Sequence, residues 1–447
     1  MQRRSSVPPA HRVAALTLLM IGWSFTPCFA VEGAARPNVV ILIADDLGWA
    51  DVGYHDSEIQ TPGIDRLVRE GLELDRFYAY PVCSPTRVGL LTGRSPSRLG
   101  INGPLSPSDK GIPVDQTLLS NIFKGAGYQT WLVGKWHVGA VAAESRPTQR
   151  GFDHFYGFLN GGIDYYKHTE FKSGTPDWHR NDKAVEEQGY STDLLAAEAV
   201  RLISAYDGKS PFLLYLSFNA PHTPLQAPGS LVQKYGSIAD TDRRTFAAMV
   251  DAMDRGIVDV LAALGRRNLD KNTVILFFSD NGGSTRAASS NKPLRMGKGS
   301  VYEGGIRVPA ALWYPGVIVP GKKTSQVITV LDLLPTLCAA AGIDLPESIK
   351  PDGRNMWPVL TGAGNVATRP IVIANRRQVA VVDGNWKLVQ GVRSRPRGAA
   401  GELYRLDHDP TESKNVASQH PDVIKRLQAA AAQTLERLAD QPRGRRN

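Results

Sequence analysis

The chain has 447 residues, 42% of them hydrophobic and 21% charged, with 52 Lys and Arg against 43 Asp and Glu. That is the composition of a globular protein with ample core, and it excludes a disordered polyelectrolyte. At this length one large domain with a smaller companion is expected. Residues 1–30 read as an export signal. Arg3, Arg4 and Arg12 form a basic start, Val13 to Trp23 an apolar stretch, and Cys28-Phe29-Ala30 a small-residue cleavage site. This segment holds three Arg and no acid, so its removal lowers the net charge from +9 to +6. No later apolar run approaches the roughly 20 residues that span a bilayer, so a soluble exported protein is expected, with no membrane partner. Cys83 and Cys338 remain after cleavage, too few for a disulfide scaffold. No Asn-x-Ser/Thr sequon occurs, and a bacterial periplasmic or secreted protein is the simplest expectation.

In chain order, residues 39–44, 130–133, 212–218 and 274–279 are short apolar runs of the kind that form strands buried on both faces. Helical patterns separate them. Residues 62–70 have Thr61 as a cap, Pro62 at the first position and Gly71 as a stop. Residues 192–205 and 244–264 repeat apolar side chains at helical spacing. Residues 164–189 are polar and aromatic without clear period, and read as a long loop. Alternation of strands and helices implies an α/β fold with a parallel sheet covered on both sides. From about residue 366 the pattern changes. Residues 370–375, 379–382, 386–389 and 402–406 look like short strands. Residues 422–438 form an amphipathic helix with Ile424, Leu427, Ala431, Leu435 and Leu438 on one face. The expected division is a main domain over 36–365 and a small antiparallel sheet with a terminal helix over 366–447.

Chemistry collects where the buried strands end. Asp45 and Asp46 follow the first, Lys135 and His137 the second, His222 the third, and Asp280 and Asn281 the fourth. Ligands of open α/β sheets bind beyond the carboxyl ends of the strands, so one shared site is expected there. Asp45, Asp46, Asp280 and Asn281 offer only oxygen, which suits calcium or magnesium. Two adjacent carboxylates repel unless a cation lies between them. Cys83 opens Cys83-Ser84-Pro85-Thr86-Arg87, with Ser84 a cap and Pro85 in the first turn of a helix ending at Gly93. A cysteine at a helix N-terminus faces a field that favours a thiolate or a bound oxyanion, with Arg87 one turn along. Lys298, with Gly297 and Gly299 on either side, can approach an oxyanion closely. Cys338 lies in an apolar helical pattern and reads as core.

These residues resemble, in order and spacing, the type I sulfatases of the alkaline-phosphatase-like superfamily. Cys83-Ser84-Pro85-Thr86-Arg87 fits the sequence that directs oxidation of Cys to formylglycine. Leu91-Thr92-Gly93-Arg94, Gly134-Lys135-Trp136-His137 and Ser279-Asp280-Asn281-Gly282-Gly283 are further matching blocks. Gly151-Phe152-Asp153 through Asp164-Tyr165-Tyr166, with Pro221-His222-Thr223-Pro224-Leu225-Gln226, is most similar to the arylsulfatase B group, which acts on N-acetylgalactosamine 4-sulfate. The resemblance implies a mixed, largely parallel sheet between helices and a smaller C-terminal antiparallel sheet plus helix. It implies a sulfate monoester hydrolase acting on a sulfated sugar or aryl sulfate, matured by a formylglycine-generating enzyme. Cys83 would become the formylglycine whose hydrate is the nucleophile. Asp45, Asp46, Asp280 and Asn281, with an oxygen of residue 83, would hold one calcium. Lys135, Lys298 and His222 would bind sulfate oxygens, with His222 and Lys298 as proton donors to the leaving alcohol. Arg87 and His137 would position the hydrate, and His137 would then act as base.

Among the other histidines, His154, His168 and His179 lie in or near the long loop and are candidates for substrate contact, whereas His55, His408 and His420 read as structural. Arg376-Arg377 and Arg393, Arg395 and Arg397 are either solvated faces or a guide for polyanionic sugars. No nucleic-acid motif accompanies them. A phosphate or phosphonate ester hydrolase on the same fold, and a non-catalytic binder of sulfated glycans, are the competing readings. A single hard-cation site without further His or Asp ligands favours sulfate.

Overall fold

The structure is a computed structural model that describes Gln2, residues 36–391 and residues 401–439. Apart from Gln2, the export-signal segment lies outside the described residues, as do Arg393, Arg395 and Arg397. The first strands are β1 (Asn38–Ala44), β2 (Leu72–Leu74), β3 (Phe77–Tyr78), β4 (Gln129–Lys135) and β5 (His154–Phe158). Then come β6 (His179–Arg180), β7 (Lys183–Ala184), β8 (Phe212–Ser217), β9 (Thr273–Ser279), β10 (Ala310–Trp313), β11 (Lys322–Thr324) and β12 (Ile328–Thr329). Four more close the chain: β13 (Ile371–Ala374), β14 (Gln378–Asp383), β15 (Trp386–Gly391) and β16 (Glu402–Arg405). The helices used below are α1 (Pro62–Arg69), α2 (Cys83–Thr92), α3 (Ser191–Ala205), α4 (Thr241–Arg266) and α5 (Pro421–Ala439).

The main sheet has ten strands in the order β11-β2-β10-β9-β1-β8-β4-β5-β6-β7. Its centre is parallel, with β1 between β8 and β9, β4 beyond β8, and β5 beyond β4. Alternate residues of β1 enter different cores: Val39, Ile41 and Ile43 pack on one face, Val40, Leu42 and Ala44 on the other. Both faces are therefore covered, as the continuous apolar runs require. The edges are mixed. β10 runs antiparallel to β9, and β2 antiparallel to β10.

Two local expectations are corrected. The segment 164–189 is not all loop, because β6 and β7 pair as a hairpin and continue the sheet beyond β5. Asn181 turns this hairpin at φ +55° and exchanges hydrogen bonds with the Phe155 backbone, the short-turn chemistry that Asn favours. Thr61 does not cap α1. Its hydroxyl binds Gly53 N and Asp65, while the first amides of α1, from Gly63 and Ile64, donate to Asp254 of α4 at 2.8 Å each. A buried carboxylate from a neighbouring helix does the capping.

The C-terminal sheet runs β13-β14-β15-β16, all antiparallel. One face joins the main core through Ala380, Val382, Val389 and Tyr404. The other packs Val379, Val381, Leu388 and Leu403 against Ile424, Leu427 and Ala431 of α5. The side chains of Leu435 and Leu438 lie outside the described set. Lys387 of β15 is fully buried and pairs with Glu303 and Glu412 at 2.8 Å each. Removing one partner of such a cluster leaves unpaired buried charge, at a cost of about 3–5 kcal/mol. Lys387→Met should therefore lower the unfolding free energy by that order, read as a drop in the denaturant midpoint, and adding Glu303→Gln and Glu412→Gln should recover part of the loss. An unchanged midpoint for the single variant would show that the cluster does not fasten this sheet.

Candidate active site

Strand register lines up the candidate residues. Ala44 pairs with Ser279, Ile43 with Ser217, and Gly134 with Ser217, so four strands end side by side. Asp45 N donates to Ala220 O, and Asp280 N to Ala44 O, at 3.0 and 2.9 Å. Asp46 leaves the strand at φ +71°, and His137 follows β4 at φ +55°. Left-handed backbone at non-glycine residues is costly and concentrates at functional sites.

The charges are buried and paired. Lys135 Nζ lies 2.6 Å from Asp45 Oδ2, and Lys298 Nζ 2.7 Å from Asp46 Oδ2. Asn281 Nδ2 donates to Asp46 Oδ1 at 2.8 Å. Arg87 is fully buried. It binds Asp280 Oδ2 through Nε and Nη2, at 3.2 and 2.8 Å, and Lys135 O and Ser217 Oγ through Nη1. Burial works to raise the Asp46 carboxyl, but Lys298 and His222 outweigh it and hold it at about 2. Burial and then Asp45 push Asp280 up to about 6, against Arg87 and Lys135. Asp45, Asp46, Asp280, Asn281, Lys135, Lys298 and Arg87 thus meet where these strands end.

Cys83 opens α2 and is buried. Burial raises its thiol above the ordinary range, although Lys135 and Lys298 pull the other way. A standing thiolate is therefore not favoured, against what the helix N-terminus alone suggests. Ser84 does not cap α2 as expected; its Oγ accepts Leu105 N at 3.0 Å and ties the following loop down. The glycines flanking Lys298 act differently. A Cβ at Gly297 would lie 2.5 Å from Gly283 O, and Gly299 sits at φ +86° with its N–H on Pro81 O, two residues before Cys83.

Hydrogen bonds set both histidine tautomers. His137 Nε2 lies 2.9 Å from Leu105 O, so it carries the proton and buried Nδ1 keeps a lone pair with no partner. Burial, then Lys135, moves His137 well below its usual range, so it rests neutral with the Nδ1 lone pair open. His222 Nδ1 donates to Thr223 O at 2.7 Å, which leaves Nε2 facing Asp46 Oδ2 at 3.8 Å. Burial lowers His222 to about 4, with Asp46 opposing and Lys298 and Lys135 assisting.

The loop histidines are structural. His154 pairs with Glu198, His168 stacks on Trp178, and His179 meets Asp177. Three residues carried no signal of the roles they play here. Ser217 is a second anchor for Arg87, and Tyr165 holds the His222 loop by donating to Asn219 O and His222 O. Phe171, 40% exposed, stands edge-on to His222 at 6.1 Å with Lys172 over its ring. Only the folded chain brings these beside the site.

The oxygen set suits a hard cation. Asp45 Oδ1 and Asn281 Oδ1 are buried without a hydrogen-bond partner, and Asp45, Asp46 and His222 cluster closely enough to share an ion. Unpaired buried oxygens are costly, and a divalent cation satisfies them.

Comparison with known proteins agrees with this geometry. The chain matches the Sulfatase family over residues 37–343, and the C-terminal family of N-sulphoglucosamine sulphohydrolase over 296–441. It is 32% identical to arylsulfatase J of Mus musculus, over 90% of this chain and 76% of that protein. It is 32% identical to N-acetylgalactosamine-6-sulfatase of Rattus norvegicus, over 84% and 75%. The crystal structure of Ps i-CgsB in complex with k-i-k-neocarrahexaose superposes with a TM-score of 0.85 at 35% identity, covering 92% of this chain and 94% of that one. The likeness supports the family as a whole rather than its arylsulfatase B member. With a mixed, largely parallel sheet, a small antiparallel sheet and this edge of paired charges, the chain belongs to the sulfatase family and is a sulfuric ester hydrolase.

Proposed function

We propose that the protein hydrolyses a sulfate monoester on a sugar through a formylglycine hydrate made from Cys83, with one calcium ion. The observation that carries this reading is Cys83 itself. It is a buried thiol at the first position of α2, kept protonated by its surroundings yet ringed by cationic and acidic side chains. A Cys protease-type nucleophile needs a thiolate, whereas an oxidised side chain with two hydroxyls does not. Asp45, Asp46, Asp280 and Asn281, with an oxygen of residue 83, would hold the ion, which when bound stabilises negative charge on sulfate oxygens.

The chain's own residues supply the remaining steps. Lys135, Lys298 and His222 bind the sulfate oxygens. Burial works to lower Lys298, but Asp46 dominates and keeps it charged. An arriving anion favours the charged form of His222, which together with Lys298 gives the leaving alcohol its proton. The sulfur–oxygen ester bond breaks as one hydroxyl of residue 83, its proton passing to a carboxylate of the site, takes the sulfuryl group. Nδ1 of His137 then accepts the proton of the other hydroxyl, sulfate is expelled, and the aldehyde returns. Arg87 aligns residue 83 by fixing Asp280 and the end of β4.

For the substrate we propose a sulfated sugar, with N-acetylgalactosamine sulfate first. Position 4 follows from the resemblance to arylsulfatase B; the names of relatives at 32% identity and more favour position 6. Residues 36–365 would form the catalytic domain and 366–447 its C-terminal subdomain. Maturation by a formylglycine-generating enzyme and a periplasmic or secreted location complete the proposal. Among the described residues no helix is long and apolar enough to cross a membrane.

Three measurements test this reading. In protein made with a formylglycine-generating enzyme, mass spectrometry of peptide 77–87 should show an aldehyde or its hydrate at position 83. Cys83→Ala should abolish aryl sulfate turnover at an unchanged melting temperature; turnover at the wild-type rate would remove Cys83 from the mechanism. Calcium at a hundred times its Kd should stabilise the fold by about 2.7 kcal/mol. Asp45→Asn should lose most of that gain, and a melting temperature indifferent to calcium and chelator would argue against the ion.

A further inference from the structure

The turn between β13 and β14 carries two arginines that the chemistry above does not use. Asn375 starts it. Asn375 Oδ1 accepts the amides of Arg377 and Gln378 at 2.8 and 2.7 Å, and its N–H closes the hairpin on Gln378 O. Asn375 Nδ2 donates to Gly299 O at 2.8 Å, which fastens the turn to the residue after Lys298. On its other side the turn meets a second loop of the site. The Arg376 guanidinium lies against Gly103, where a Cβ would come 3.3 Å from Nε and Nη2. Gly103 is two residues before Leu105, whose carbonyl holds His137 and whose amide holds Ser84. The turn therefore bridges the loop behind Lys298, through Asn375, and the loop behind His137 and Cys83, through Arg376.

Both arginines are exposed, and among the described residues neither guanidinium has a hydrogen-bond or acidic partner. The contrast with the site is complete. There Arg87, Lys135 and Lys298 are each committed to a carboxylate. A guanidinium presents a planar fork suited to sulfate or carboxylate, and a turn already rigid loses little freedom when it binds.

We propose that Arg376 and Arg377 form a second anion subsite at the rim. It would hold a sulfate or carboxylate on a sugar neighbouring the one whose ester is cleaved. The substrate is then a polyanionic oligosaccharide rather than a lone monosulfated sugar. This rests on the sulfated-sugar reading above and narrows it.

The test uses matured full-length protein and 4-nitrophenyl sulfate as the reporter. Chondroitin 4-sulfate hexasaccharide, sulfated neocarrahexaose and N-acetylgalactosamine 4-sulfate serve as competing inhibitors. For wild type, at least one hexasaccharide should inhibit more tightly than the monosaccharide, and added salt should weaken that preference. In the double variant R376Q/R377Q, the ratio of hexasaccharide Ki to reporter KM should rise about tenfold, the scale of one lost charge-assisted contact. R376K/R377K, which keeps the charge but not the fork, should fall between. A wild type that prefers the monosaccharide, or a variant with an unaltered ratio, overturns the subsite. So does a parallel loss of both constants, which would mark a structural role. A wild type with no turnover of the reporter, once the aldehyde at position 83 is verified, overturns the sulfatase reading and the subsite with it.

Discussion

Everything at the sheet edge depends on how buried carboxylates are neutralised. Asp45, Asp46 and Asp280 lie within one cluster and are almost wholly shielded from water. Like charges this close cannot all ionise without compensation. Lys135, Lys298 and Arg87 supply it, each on a different carboxylate. On the proposed reading two of these cations, Lys135 and Lys298, are also the groups that an incoming sulfate meets, so that charge balance in the resting site and anion recognition become one arrangement. Oxygens left over on Asp45 and Asn281 mark where a further cation fits.

That arrangement dictates the backbone around it. Parallel register brings four strand ends level. Left-handed turns at Asp46 and His137 then swing those side chains across the edge. Lys298 comes from a loop held on two sides, by Pro81 ahead of Cys83 and by Asn375 of the C-terminal sheet. Glu303, a few residues beyond Lys298, is gripped from the same sheet by Lys387 and through its amide by Glu412. The small sheet is thus more than a cover. It braces the segment that delivers one of the two site lysines.

Much of this was legible in the amino-acid pattern. Buried strands β1, β4, β8 and β9 announce themselves as apolar runs, and the polar residues directly after them name the site. Helices α3 and α4 follow their apolar spacing to within a few residues. What escaped has a common cause. β2, β10 and β11 are three or four residues long, too short for a period to show. The cap of α1 comes from Asp254, and the partners of Lys387 lie tens of residues away, so no local window holds both halves. Ser217 and Tyr165 act through hydrogen bonds that only the fold creates. His154 and His179 looked available in a loop but meet acidic partners across it, while His168 packs on Trp178.

The central claim is that this edge is built for sulfate, with residue 83 as the regenerating nucleophile. Its most direct test is the ratio of kcat/KM for an aryl sulfate to that for the matching aryl phosphate, in calcium, on protein whose residue 83 is verified as the aldehyde. The account predicts sulfate ahead by orders of magnitude, because one hard-cation site and two lysines match a monoanionic ester better than a dianionic one. Phosphate ahead by a similar margin would contradict it, and would make this edge a phosphate ester site instead.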